Sequence, residues 1–119
     1  MFDSETDPAL SRAATALSEA TRLEQIRDDE SSERWMLQLG SLATVIDAGA
    51  RLATCLGERF EHSADTRAWG GPPAHESLTA ASTSALQAAA ALHTAAALIA
   101  EAHDQLLALP PAPAPEPPR

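Results

Sequence analysis

RAWGGPPAHES, residues 67–77, decides how this chain folds. Gly70-Gly71 can take the positive-φ positions of a turn, and Pro72-Pro73 stiffens the backbone and removes N–H donors. Long helical patterns lie on both sides. The stretch therefore predicts the turn of an antiparallel helical hairpin, with Trp69 capping the end of its core.

Upstream of the turn, after Ser31 or Ser32 as a cap, apolar residues recur in alternating steps of four and three. They are Trp35, Leu39, Leu42, Ile46, Gly49, Ala53, Leu56 and Phe60, a heptad seam. Met36, Ala43, Val45, Ala50 and Leu52 widen the stripe beyond what one neighbour needs. Downstream, a second long helix is expected from Glu76 or Ser77 to Leu109. Leu78, Ala85, Leu92, Ile99 and Leu106 form one of its seam lines, and Ser82, Ala89, Ala96 and His103 the other. Its alanine content favours helix and lets helix axes approach closely. Each helix is a little over 30 residues, on the order of 45–50 Å at about 1.5 Å per residue.

A shorter helix precedes these. Asp7-Pro8 is a start signal, with a side chain that can accept an early backbone N–H and a proline where a missing donor costs nothing. Leu10, Ala13, Leu17, Ala20, Leu23 and Ile26 give its stripe, which runs to about Arg27 before the acids Asp28-Asp29-Glu30. The expected fold is all-α, a three-helix bundle over 8–109 made of a long antiparallel hairpin and a shorter N-terminal helix, and it is expected to dimerise. Residues 1–7 and the Pro-rich 110–119 are expected to be disordered tails.

Charge narrows the partners. Seventeen Asp and Glu against eight Arg, with no Lys, give a formal charge of −9, which repels a phosphate backbone and argues against nucleic acid. The single Cys55 permits no intrachain disulfide and no cysteine-rich zinc site. MFDSETDPALS at the start has neither a basic nor an apolar signal-peptide region, so a cytoplasmic location is expected. Residues 77–100 are uncharged, but their Ala, Ser, Thr, Gln and His would insert into lipid at close to zero energy, so no membrane contact is expected. Abundant Ala, Arg and Pro with no Tyr, Asn or Lys point to a GC-rich bacterial genome.

Trp69-Gly70-Gly71 resembles the Trp-X-Gly of the WXG100 family, small dimerising helical hairpins exported through type VII secretion, whose motif lies in the inter-helix turn. The resemblance covers these three residues and the hairpin around them, and it implies a secretion substrate or partner as the alternative function. The chain has no Tyr for the family's Tyr-X-X-X-Asp/Glu export element.

Polar residues offer little chemistry. Glu58 and His62, one turn apart, and His75-Glu76 across the loop could meet at the hairpin tip as a carboxylate–imidazole set, which makes a metal-binding protein the third possibility. Neither Glu-X-X-His nor His-Glu-X-X-His occurs, and solvated loop residues are the commoner reading, so no metal, cofactor or catalytic residue is assigned. Ser82 or Ser84 lies about 30 Å along one helix from His103-Asp104, too far for a hydrolase relay. His93 and His103 read as packing histidines, and Cys55 as an inert thiol.

The resulting expectation is a non-enzymatic interaction protein, an adaptor, accessory or small structural subunit acting through apolar helical seams. Its surface is placed on helix 3 at Leu86, Ala89, Ala96, Leu98 and Leu107, and would meet a protein partner or a second copy.

Overall fold

The computed structural model describes residues 7–66 and 70–110, and every regular element among them is a helix. Three occur in chain order: α1 (Pro8–Ile26), α2 (Ser32–Thr66) and α3 (Gly71–Leu107). Trp69 lies outside the described residues, as do the expected tails apart from Asp7 and Pro110. The chain divides into two units, Met1–Ser31 and Ser32–Arg119.

In the first unit, Asp7 caps α1 as its side chain predicts. Its carboxylate accepts the N–H of Ala9 at 2.9 Å and of Leu10 at 3.3 Å, while Pro8 opens the helix without a donor to satisfy. Arg27 leaves helical geometry at ψ 136°, so the helix stops one residue before the expected end. Leu10, Leu17, Leu23 and Ile26 all remain exposed.

In the second unit, α2 and α3 pack against each other as an antiparallel pair. His75 faces Ala64, Ser82 faces Gly57, Leu92 faces Gly49 and His93 faces Asp47, so residue numbers rise on one helix as they fall on the other. The turn is made as its glycines predict: Gly70 has φ 84° and Gly71 φ 61°. A Cβ at Gly70 would lie 2.6 Å from Cβ of Ala74, so both conformation and space reserve this position for glycine.

α3 begins at Gly71, five residues before the expected Glu76 start, and ends at Leu107 rather than Leu109. Pro72 and Pro73 do not delay it. They occupy the first turn, where an α-helix has no use for their missing N–H groups.

The seam shows a second difference. On α2 the buried residues are Ala50, Gly57 and Ala64, each seven apart, and on α3 they are Ser82 and Ala89. Periodicity places Leu42, Gly49 and Leu56 on this line, yet Leu56 is 41% exposed. Size explains the shift by one position. Turning the small residues inward lets the two backbones approach, and the larger side chains then flank the contact rather than fill it. The companion line Leu39, Ile46, Ala53 and Phe60 is half-buried as expected, and so is its counterpart Leu78, Ala85, Leu92, Ile99 and Leu106. Among the described residues no large side chain is fully buried.

One expectation is overturned. The absence of membrane contact rests on the uncharged stretch of α3 alone, weighed by its alanines. Both α2 and α3 are long and apolar enough, by length and composition, to cross a bilayer, each containing an 18-residue window of mean hydropathy 1.3.

Candidate interaction face

The hairpin has two unlike sides, and the seven-residue repeat sets both. On α2, the positions beside the seam are Trp35, Leu42, Gly49 and Leu56, with Val45 and Leu52 one step further round. On α3 the equivalent positions are Ala81, Ala88, Ala95 and Ala102, with Ala91 and Leu98 further round. One groove joins the two sets at the open end of the hairpin. Trp35, Gln38, Leu39 and Leu42 line it from α2, Ala102, Gln105 and Leu106 from α3, and Leu109 from just beyond it. The same repeat carries both sets toward the turn on the same side. None of these positions is charged. Val45 (44%), Leu52 (40%), Leu56 (41%) and Leu98 (60%) remain exposed to solvent.

The other side carries charges, together with the exposed Leu37, Leu86 and Leu107. The Arg51 guanidinium donates to the Asp47 carboxylate at 2.7 Å, one turn along α2, and Nδ1 of His93 on α3 lies 3.3 Å from the other Asp47 oxygen. The Arg51 hydrogen bond is the largest cause holding the Asp47 carboxyl below its ordinary pKa. Partial desolvation opposes it, and the charges of Arg51 and His93 assist. A carboxyl depressed in the folded state contributes stability above its unfolded pKa and loses it as pH falls through the folded value. This site is solvent-exposed, so the contribution is small. In a carbon-detected NMR titration, Asp47 is expected to show a midpoint below that of an ordinary aspartate, and Arg51→Gln should move it upward. An ordinary midpoint in the wild type, or one indifferent to Arg51→Gln, would contradict the assignment.

The other polar residues fall as follows. Nδ1 of His75 is 3.0 Å from the Ala64 carbonyl, which can only accept, so this nitrogen carries the proton. That bond ties the start of α3 to the end of α2. Among the described residues no group of three or more His, Cys, Asp or Glu is gathered to hold a metal ion. Cys55 is free and exposed. His93 is more exposed than a packing histidine, because it turns out of the seam toward Asp47, whereas His103 is half-buried on the seam.

The five residues assigned to a surface on helix 3 are not brought together. Ala89 is 3% exposed within the hairpin and Ala96 is half-buried beside it. Leu86 lies over Gly57, on the polar side of the seam with Leu107, and Leu98 stands on the uncharged side. The positions that form a continuous apolar face come from both helices.

The contact that locks the seam was not read from the sequence. Ser82 donates its hydroxyl to the Gly57 carbonyl at 2.7 Å, a buried bond between the helices. Such a bond contributes about 1 kcal/mol and leaves no polar group of Ser82 unsatisfied. A small polar residue on a seam line continued by Ala89 and Ala96 was its only signal. No protein family, no curated protein and no solved structure matches this chain.

Proposed function

We propose that this chain is a non-enzymatic interaction protein, an adaptor, accessory or small structural subunit, that works by seating the uncharged face of its hairpin against the helices of another protein subunit. One observation carries this reading: Val45, Leu52, Leu56 and Leu98 stand exposed on a face without charge, while the hairpin's own buried residues are all small. Burying apolar surface yields about 25 cal/mol per Å², so covering such a face is worth several kcal/mol. Apolar stripes at helical spacing are met by helices laid alongside them.

Photo-crosslinking in living cells tests it. A photoreactive side chain at Leu52 should give protein–protein adducts, and one at Arg51, on the polar side, should give few. Equal adducts from both positions, or lipid adducts alone from Leu52, would remove the reading.

A further inference from the structure

The uncharged face is uneven in a way that selects its occupant. Its α2 half is a ridge of large side chains, Trp35, Leu42, Val45, Leu52 and Leu56, stepped down at Gly49. Its α3 half is a trough floored by alanine at every seventh position from Ala81 to Ala102, with Leu98 standing at its outer edge. Ridge and trough run side by side along the hairpin, one per helix. A surface of this kind is complementary to itself. Turned about a two-fold axis parallel to the helices, a second copy brings its α3 trough over this copy's α2 ridge, and its ridge over this copy's trough.

Resting on the interaction reading above, we infer that the occupant is a second copy of this chain, giving a four-helix bundle in which both hairpin turns lie at the same end. Every neighbouring pair of helices in that bundle is antiparallel, with interdigitating side chains, the ordinary arrangement of up-and-down bundles. The other two-fold arrangement, with its axis across the helices, sets ridge on ridge and trough on trough and leaves a gap along the trough. Charge raises no obstacle between Trp35 and Leu56, because the facing positions there carry none, and the Arg51–Asp47 pair lies toward the other side. The area is sufficient. From Trp35 to Leu56 the face runs about 33 Å at 1.5 Å per residue, and two adjacent helices make it roughly 18 Å wide. That is a footprint on the order of 600 Å² per copy, so two copies together reach the roughly 1,200 Å² at which stable interfaces begin.

Sedimentation equilibrium on the full chain tests the pairing. A mass of about twice 12.5 kDa is expected at micromolar concentration. Leu52→Glu, on the ridge, and Ala91→Glu, beside the trough, should each raise the dimer dissociation constant at least ten-fold while the helical circular dichroism persists. Leu37→Glu, 73% exposed on the other side, should leave the constant unchanged. Spin labels at position 65, introduced as Asp65→Cys with Cys55→Ser, should lie within about 30 Å of each other when the turns share an end, and on the order of 50 Å apart when they do not.

A dimer unmoved by Leu52→Glu and Ala91→Glu, or one with the long label distance, overturns the ridge-in-trough pairing. A helical monomer overturns the second copy as occupant. Flotation with phosphatidylcholine vesicles then separates the two levels. A monomer that stays off the vesicles leaves the protein-partner reading standing, and one that floats through Leu52 removes that reading too.

Discussion

Replacing Gly57 with leucine is expected to lower the melting temperature of the α2–α3 hairpin by more than about 10 °C. Gly57 is buried in the seam between the two helices, where a Cβ would lie 2.9 Å from Cγ and Cδ2 of Leu86 and 3.4 Å from the Ser82 carbonyl oxygen. Leu86 is partly exposed and can swing toward solvent, but the Ser82 carbonyl belongs to the α3 backbone and cannot. Four added carbons therefore push the helices apart, at a typical overpacking cost of about 1–3 kcal/mol. They also break the Ser82–Gly57 hydrogen bond, worth about 1 kcal/mol. Removing a mid-helix glycine returns about 1 kcal/mol of helix propensity, too little to reverse the sign. Gly57→Ala isolates that balance: its single methyl meets mainly Leu86, so propensity and crowding nearly cancel and the melt should shift by only a few degrees. Thermal melts followed at the helical circular dichroism band check both variants. A Gly57→Leu protein melting within about 3 °C of the wild type would mean that the helices are not held as close as described.

The same glycine shows why part of this architecture is legible in the sequence and part is not. The hairpin and its turn can be read because glycine pairs, proline pairs and seven-residue repeats each have a local cause. Asp7-Pro8, Gly70-Gly71 and the lines through Leu39 and Leu92 act through their own backbone or their own helix face. Which of two adjacent lines turns inward is a property of the pair of helices. A pattern ranked by hydrophobicity favours Leu42 and Leu56 over Ala50 and Gly57, whereas close approach of the backbones favours the small residues. The proposed interaction face follows from that one-position rotation. Once Ala50, Gly57 and Ala64 are inside, Leu42, Gly49 and Leu56 flank the seam with Val45 and Leu52 further round, and the proposed face is one shared by both helices rather than one on α3 alone. The Asp47–His93 contact was equally hidden, since nothing local marks two residues so far apart in sequence as neighbours.

Ala89→Asp is expected to unfold the hairpin at neutral pH rather than merely to separate an assembly. Ala89 is 3% exposed, on the seam line that faces α2. An aspartate there is too short to carry its charge out to water, as a lysine or arginine would. An uncompensated charge buried in this way costs about 3–5 kcal/mol, a large share of the stability of a domain this small. The effect depends on pH with a definite sign. Burial raises the introduced carboxyl's pKa in the folded state above its unfolded value, so the penalty is absent below the unfolded pKa and grows as pH rises above it. The deficit relative to the wild type should therefore be greatest near pH 7 and shrink markedly toward pH 4. Leu98→Asp, by contrast, places its charge at a position 60% exposed on the uncharged face and should leave the helical signal and its cooperative melt in place at both pH values. Melts of the two variants at pH 7 and pH 4.5 decide the matter. An Ala89→Asp protein as stable as Leu98→Asp at neutral pH would show that the Ala89 line is not the inner seam of the hairpin.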